Sequence, residues 1–306
     1  MLPVKTDVST NEIAIDVQGL TKSYGKVRAL QGINLQVRRG EIFGFLGPNG
    51  AGKTTTIRCM LDMIRPDGGK SLLLGIDPQR NPVEVQARTG YLPGEMQYYD
   101  NLTCAQQLRF FNDMRGGCAK WSDIRHLADH LALDLRQPIK NLSKGNKQKV
   151  GVIQALMHMP ELLLLDEPTS GLDPLMQQEV LMMLREFNED GTTIFFSSHI
   201  MSEVESLAER VAIIRAGQIV EVTDTSRLTH SAVNRVTIRF KHPLEFAELV
   251  KLPGVELLSQ VDQTSLTLQV TGDMELLIHA LGSLPVLDLE TDRPSLEEAF
   301  LTYYKK

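Results

Sequence analysis

The stretch Gly47-Pro48-Asn49-Gly50-Ala51-Gly52-Lys53-Thr54 has the residue types and the spacing of a phosphate-binding loop. Its glycines let the backbone curl so that successive N–H groups point at phosphate oxygens. Lys53 adds a fixed positive charge at the outer phosphates, and the Thr54 hydroxyl can hold Mg²⁺. The loop alone therefore predicts that the chain binds a nucleoside triphosphate.

The residues on either side of this loop supply the context that a phosphate loop requires. Before it, Glu41–Leu46 is short and apolar enough to be a buried strand. After it, Thr55–Ile64 has the composition of a helix that ends before Pro66. A strand, a loop and a helix in this order place the helix N-terminus beside the bound phosphate.

Two later stretches place polar side chains directly after apolar strands. The segment Glu161–Glu167 is typical of a central parallel strand, and it ends in the two carboxylates Asp166 and Glu167. Ser197-Ser198-His199 follows a second apolar strand, Thr192–Phe196. Taken alone, the carboxylates could simply be solvated and the histidine could simply pack against its neighbours. Their chemistry therefore depends on the other motifs of the chain.

The elements that position these residues can be read from hydrophobic periodicity. Apolar residues alternate with polar ones over residues 13–17 and again over 33–37, which predicts two strands with one buried face each. Two such strands ahead of the loop indicate an antiparallel layer beside an α/β core. Residues 102–114 and 122–133 have the pattern of helices, which predicts a mostly helical insert. Residues up to about Thr10 have the composition of a loose arm.

A composition shift over residues 223–233 marks a domain boundary. Beyond it, the apolar pattern predicts elements in the order β-α-β-β-α-β, with helices over Leu244–Lys251 and Met274–Leu281. That order is the split βαβ plan of ferredoxin-like domains. A last helix is predicted to open at Ser295, because Glu298 completes a capping box with it.

The predicted fold is therefore an α/β phosphate-loop NTPase core with an antiparallel β layer and a helical insert, followed by a small α+β domain. The predicted boundaries are residues 12–225 for the first domain, with the insert at about 95–160, and residues 232–306 for the second.

Composition and charge narrow the function classes. The net charge of −6 argues against nucleic acid as the main partner, since a basic face is the expected footprint. Three cysteines without metal-ligand spacing suggest a reducing compartment. No run of the sequence approaches the roughly eighteen apolar residues of a membrane span. The N-terminus has no charged-then-apolar signal pattern. We therefore expect a cytoplasmic protein.

Several segments together resemble the ATP-binding-cassette (ABC) ATPase family over about residues 12–220. The carboxylate strand follows the loop, and Leu142-Ser143-Lys144-Gly145-Asn146 lies between them as a variant of the family signature. The resemblance implies that Asp166 holds Mg²⁺ through water and that Glu167 polarises the attacking water. It also implies that His199 contacts the γ-phosphate and that the segment Ser170–Asp173 links two sites.

The resemblance further implies the ATP contacts. The residues from Gly47 to Thr55 bind the phosphates, and Tyr24, roughly 23 residues before the loop, matches the aromatic that stacks on adenine. A packed tyrosine at a strand edge is the alternative for Tyr24. In the family, the signature closes over ATP bound by the opposite subunit, so Ser143 and Gly145 would act in trans. The expected working unit is a head-to-tail pair, formed with a second copy or a related ATPase.

The chain departs from the family pattern at one position. After the strand Gly90–Pro93, the family normally has a glutamine that touches Mg²⁺ or water, and here Gly94 occupies that place. Glycine has no side chain that could coordinate anything. Glu95, Gln97 or a water are the alternatives for that contact.

Three features together are similar to the ATPase subunits of type-two ABC exporters: Leu92-Pro93-Gly94-Glu95 after the strand, Ser170-Gly171-Leu172-Asp173-Pro174 after the carboxylates, and a small terminal domain ending in Ser295-Leu296-Glu297-Glu298-Ala299-Phe300. The resemblance implies an ATP hydrolase at the cytoplasmic face of the membrane that drives export through a separate membrane-spanning subunit. The aromatic segment Glu95–Phe111 would receive a helix of that subunit, or it could serve packing within the helical insert. The alternative function is a soluble ABC ATPase acting on nucleic acid or ribosomes. Against it stand the single cassette and the absence of a basic tract.

Overall fold

The computed structural model describes residues 12–225, 234–244, 246, 249–271 and 274–292. The chain divides into two compact units, Met1–Thr223 and Asp224–Lys306. The predicted N-terminal arm and the predicted helix at Ser295 with its capping box lie outside the described residues.

The first unit alternates strands and helices along most of its length. In chain order its elements are β1 (Ile13–Tyr24), β2 (Val27–Arg38), β3 (Ile42–Leu46), α1 (Lys53–Met60), β4 (Gly68–Leu73), α2 (Pro82–Arg88), β5 (Thr89–Leu92), α3 (Cys104–Met114), α4 (Trp121–His130), a 3₁₀ turn (Ile139–Asn141), α5 (Lys144–Leu156), β6 (Leu162–Asp166), α6 (Pro174–Glu189), β7 (Thr193–Ser198), α7 (Met201–Leu207), β8 (Arg210–Arg215) and β9 (Gln218–Asp224). The last of these strands ends at the boundary between the two units.

A six-stranded sheet with the order β5-β6-β7-β3-β8-β9 forms the centre of this unit. The pairs β5–β6, β6–β7, β7–β3 and β3–β8 are parallel. Every residue of β3, β6 and β7 is buried, which explains their apolar sequences. Because parallel strands end at the same edge of a sheet, the segments that follow β3, β6 and β7 lie close together. The prediction of an α/β core is confirmed.

A second, antiparallel sheet with the order β2-β1-β4 packs beside this core. The alternating residues of β1 and β2 bury one face, where Val17 pairs with Leu35. These residues share one hydrophobic core with Phe43 and Phe45 of the central sheet and Ile57 of α1. The alternation therefore predicted the layer, and β1 continues past the predicted strand to Tyr24, with Gly25 and Lys26 forming the turn to β2.

The second unit contains a four-stranded antiparallel sheet and a helix. Its elements are β10 (Asn234–Phe240), β11 (Val255–Gln260), β12 (Ser265–Val270), α8 (Glu275–Leu281) and β13 (Val286–Asp292). The sheet order is β11-β12-β10-β13. Apolar residues of β10 and β12 form its core with Leu277 and Leu281 of α8. The predicted helix over Leu244–Lys251 falls partly on residues outside the described ranges.

No helix within the described ranges is long and apolar enough to cross a membrane.

A buried histidine makes the stability of the first unit sensitive to acid. The Thr89 carbonyl accepts a hydrogen bond from His158 Nε2 at 3.3 Å, whereas the buried His158 Nδ1 has no hydrogen-bond partner among the residues that the structure describes. Arg115 lies nearby and donates to the Gln86 carbonyl at 2.9 Å. Burial, and then the charge of Arg115, lower the pKa of His158 to about 4. In the unfolded chain the pKa is about 6.5. The neutral histidine therefore contributes stability that is fully present above about pH 6.5 and is lost as pH falls towards 4.

We expect the His158→Gln variant to lose less stability than the unchanged chain between pH 7 and pH 5. The glutamine amide can still donate to the Thr89 carbonyl, but it does not titrate. Urea unfolding midpoints at the two pH values measure the difference. His126→Gln is the matched control, because His126 is exposed. Equal pH dependence in all three proteins would contradict the expectation.

Candidate functional site

The phosphate loop connects β3 to α1, as its flanking sequences predict. A Cβ atom at Gly47 would lie 2.4 Å from the Ile214 carbonyl oxygen, so only glycine fits there. Gly52 has a φ of 111°, in the region that favours glycine, and it is the N-cap of α1. No side chain caps this helix, and its first turn contains no acidic residue. The N–H groups and the positive end of the helix dipole are therefore available to a phosphate.

A cavity of about 550 Å³ opens beside the loop. Its lining consists of Lys26, Val27, Arg28, Ala29, Gln31, Pro48, Asn49, Gly50, Gly52, Lys53, Thr54, Thr55, Glu167, Ala216 and Gly217. This volume is in the range of small-molecule sites. The phosphate loop, the first turn of α1 and the second strand-end carboxylate thus share one cavity.

The turn between β8 and β9 is hydrogen-bonded to the phosphate loop. Gly217 N donates to the Ala51 carbonyl of the loop at 2.9 Å. On the other side, Gln31 donates through its backbone N to the Gly217 carbonyl and through Nε2 to the Ala216 carbonyl. This turn, which lines the cavity, is therefore hydrogen-bonded both to the phosphate loop and to the antiparallel layer.

Lys53 is buried, and three oxygen atoms surround its ammonium group. Nζ donates to the carbonyls of Gly47 at 2.7 Å and Pro48 at 3.3 Å. It also forms an ion pair with Glu167 Oε1 at 3.4 Å. The lysine charge is thus held at the junction of the loop and the carboxylate strand.

Asp166 and Glu167 point in different directions from the end of β6. Asp166 is buried, and its Oδ1 accepts a hydrogen bond from Ser197 Oγ at 2.6 Å, while its buried Oδ2 has no hydrogen-bond partner in the described part of the chain. Glu167 turns away because its backbone is left-handed, with a φ of 53°. Glu167 N donates to the Ser197 carbonyl at 3.2 Å, which anchors the turn on β7. One carboxylate is therefore fixed inside the sheet edge, and the other faces the cavity.

His199 approaches the same carboxylate from β7. His199 Nδ1 lies 3.2 Å from Glu167 Oε1, and the histidine side chain is 45% exposed. Lys53, Glu167 and His199 thus meet at a single carboxylate oxygen. The structure brings together these three residues, which lie far apart in the sequence.

The remaining predicted residues lie outside the cavity lining. Tyr24 ends β1 and is half exposed, with Lys22 Nζ 5.7 Å from its ring centroid. Ser143 is the N-cap of α5, where its Oγ accepts from Asn146 N at 3.2 Å. A Cβ atom at Gly145 would lie 3.0 Å from the Gly171 carbonyl oxygen, so the signature helix begins against the Ser170–Asp173 loop. Ser143 and Gly145 are not among the residues that line the cavity beside the phosphate loop.

Gly94 lies directly over the free oxygen of Asp166. A Cβ atom at Gly94 would be 3.2 Å from Asp166 Oδ2. A side chain at this position would therefore lie beside the Asp166 carboxylate. Glu95 and Gln97 are both exposed.

Two buried polar residues that the sequence did not single out also contact the site. Gln148 of α5 donates through Nε2 to the carbonyls of Glu167 at 3.2 Å and Pro168 at 3.0 Å. Glu203 of α7 is 5% exposed, and its carboxylate accepts hydrogen bonds from Thr169 and Ser198. A signal existed for Glu203, since its carboxylate is spaced to share the buried face of α7 with Val204 and Leu207.

A parallel sheet with a phosphate loop after one strand and paired carboxylates after a neighbouring strand defines a phosphate-loop NTPase. A family model described as ABC transporter matches residues 30–170. Bacitracin transport ATP-binding protein BcrA of Enterococcus faecalis is 38% identical over 220 residues, which cover 71% of each chain. Linearmycin resistance ATP-binding protein LnrL of Bacillus subtilis is 32% identical over 305 residues, which cover 94% of this chain and 97% of that protein. A solved structure of an ATP binding subunit of an ABC transporter superposes with a TM-score of 0.64 at 28% identity, covering 70% of this chain and 91% of that one.

The chain belongs to the ABC transporter family, as an ATP-binding protein. It is accordingly an ATP-hydrolysing cassette.

Proposed function

We propose that the chain drives export through a separate membrane-spanning subunit, at the cytoplasmic face of the membrane. Lys53 and Glu167 line the cavity, and His199 contacts the same oxygen of Glu167 as Lys53 does, which supports the ATPase part of this proposal. Relatives named for bacitracin transport and linearmycin resistance support the export part, and the second of them aligns along nearly the whole chain. Neither name points to nucleic acid or ribosomes, which disfavours that alternative.

The geometry supports specific roles in hydrolysis. The loop from Gly47 to Thr55 would bind the phosphates, with Lys53 at the outer ones. Glu167 would accept a hydrogen bond from the attacking water, since its carboxylate faces the cavity. His199, in contact with that carboxylate, would hold the γ-phosphate and keep Glu167 oriented. Tyr24 would stack on adenine from the end of β1.

The donor set fits Mg²⁺. Asp166 Oδ2 is a buried carboxylate oxygen without a hydrogen-bond partner among the described residues, and Thr54, whose side chain carries a hydroxyl, lines the cavity. No cluster of three His, Cys, Asp or Glu side chains with metal-binding geometry occurs among the described residues. That is expected of Mg²⁺, which takes one or two protein ligands and completes its shell with phosphate oxygens and water. Thr54 and Asp166 would hold the ion, which would neutralise charge on the phosphates.

The separation of the signature from the phosphate loop within one chain supports a composite site between two chains. Ser143 caps α5 and Gly145 leaves its backbone bare, so the N-terminus of α5 can receive the γ-phosphate of ATP bound by a second cassette. We propose a head-to-tail pair, formed with a second copy or with a related ATPase.

The proposed domain boundaries are residues 12–225 for the cassette, with its helical insert at about 95–160, and residues 232–306 for the small domain. The sheet order β11-β12-β10-β13 supports a split βαβ, ferredoxin-like plan for the small domain.

We propose that the aromatic part of the helical insert receives the membrane subunit. Tyr99 and Phe110 are exposed, and their rings contact each other edge to face at 5.3 Å. Tyr98 instead serves packing, since its hydroxyl donates to the Lys147 carbonyl of α5 at 2.6 Å. Exposed aromatic pairs are typical of binding surfaces.

The proposal is tested by replacing both Tyr99 and Phe110 with serine. We expect the double variant to keep its basal ATPase activity and to lose co-sedimentation with membranes that contain the transporter subunit. Val83→Ser is the matched control, because Val83 is exposed and apolar but lies on α2. ATPase activity is also measured with added RNA, DNA and ribosomes. Stimulation by any of these, without membrane binding, would support the alternative function and overturn the proposal.

A further inference from the structure

Glu203 is a buried carboxylate that the family resemblance leaves without a role. It lies on α7 with 5% of its surface exposed, and it forms no ion pair with any residue that the structure describes. Burying a carboxylate is unfavourable unless hydrogen bonds replace its water. The partners that replace this water therefore indicate what Glu203 holds in place.

Both partners of Glu203 are hydroxyl groups from strand-end segments of the site. Thr169 Oγ1 donates to Glu203 Oε1. Ser198 Oγ donates to Glu203 Oε2 at 2.6 Å and accepts a hydrogen bond from Ile200 N at 2.9 Å. Thr169 and Ser198 are themselves buried, at 2% and 1% exposure. Hydrogen bonds to a charged acceptor are short, strong and directional. The carboxylate thus joins two loops that enter the site from different strands.

The two hydroxyl groups belong to residues that are close in sequence to Glu167 and His199. Thr169 lies two positions after Glu167, and Ser198 directly precedes His199. Between these two loops, Glu167 Oε1 and His199 Nδ1 are 3.2 Å apart. We propose that Glu203 is a positioning residue that sets this distance by holding both loops. The inference rests on the roles proposed above for Glu167 and His199.

Removing the Glu203 carboxylate should displace Glu167 and His199 from their positions without removing any contact to ATP. Glu203 is buried, and hydroxyl groups donate to both of its carboxylate oxygens, so ATP would not touch it. A displacement of about 1 Å in a reacting group can lower a rate by about 100-fold. Loosening the loops should therefore lower kcat and leave KM for ATP nearly unchanged. A residue that only anchored α7 would change thermal stability and leave kcat of the folded protein unchanged.

The test measures kcat and KM for ATP on the full chain. We expect Glu203→Ala to lower kcat by about 10- to 100-fold. Glu203→Gln should recover most of this loss, because its amide can accept from Thr169 and donate to Ser198. Thr169→Val and Ser198→Ala each remove one of the two hydrogen bonds, and each should lower kcat several-fold. These single-bond variants decide the question if Glu203→Ala does not fold. Glu205→Gln, an exposed position on the same helix, is the matched control and should behave as the unchanged chain.

A double-mutant cycle separates this inference from the proposed function. If Glu203 acts through His199, Glu203→Ala should lower kcat by less than about twofold when His199 is already alanine. Independent, multiplying effects of the two substitutions would overturn the positioning role. So would a His199→Ala variant that loses activity while Glu203→Ala, Thr169→Val and Ser198→Ala keep theirs. An unchanged kcat in His199→Ala would instead overturn the role proposed for His199, and with it any positioning through that residue.

Discussion

Replacing Lys53 with alanine is expected to lower ATP turnover by about 100-fold or more and to weaken ATP binding. The lysine is buried, and the carbonyls of Gly47 and Pro48 fix its ammonium group between the loop and Glu167. A charge fixed in this way needs little reorganisation to meet a phosphate, so alanine removes a preorganised contact that water does not replace. Steady-state ATPase rates and binding of a fluorescent ATP analogue measure the two effects.

The control for this variant is Lys70→Ala, since Lys70 is an exposed lysine on β4. It has the same change of charge and should keep both activities. Thermal unfolding checks that the Lys53→Ala variant remains folded. Near-normal ATP turnover in that variant would contradict the assignment of the phosphate loop.

The second large effect is expected from Glu167→Gln. Glutamine has almost the same shape, but it is a much weaker base, so hydrolysis should fall by roughly 10²- to 10⁴-fold. ATP binding should persist, because the phosphate loop is unchanged. Bound ATP that is not hydrolysed should then hold two chains together across the proposed composite site. Gel filtration with ATP and Mg²⁺ should show a dimer that the unchanged chain forms only transiently.

Glu186→Gln, at an exposed position on α6, is the matched control and should hydrolyse ATP normally without trapping a dimer. A Glu167→Gln variant that binds ATP but stays monomeric at every concentration tested would contradict the head-to-tail pair. Unchanged hydrolysis would contradict the role of Glu167 as the base.

The sequence predicted those parts of the site that consist of a single strand and the segment directly after it. The loop after β3 and the carboxylates after β6 are examples, because an apolar run followed by polar residues specifies a buried parallel strand and its end. The contact between Glu167 and His199 depends on β6 and β7 being neighbours. Strand order is a property of the whole sheet, and hydrophobic periodicity carries no information about it.

Buried polar residues were harder to predict for a different reason. Gln148 and Glu203 are buried, although glutamine and glutamate side chains are mostly exposed in proteins. Their burial becomes favourable only because distant segments provide partners, such as the carbonyls of Glu167 and Pro168 for Gln148. The strands β8 and β9 and the helices α2 and α7 were not predicted, since short elements leave few residues for a periodicity to develop.

The left-handed backbone of Glu167 has a consequence for how the chain can be engineered. A non-glycine residue at a φ of 53° is destabilised by about 1–2 kcal/mol relative to glycine in the same conformation. The fold therefore accepts a local strain at the one position where the turn must present a carboxylate to the cavity. Sequence optimisation for thermostability alone would replace this residue with glycine or asparagine. Such a substitution at position 167 would raise the stability of the protein and lower its ATPase activity.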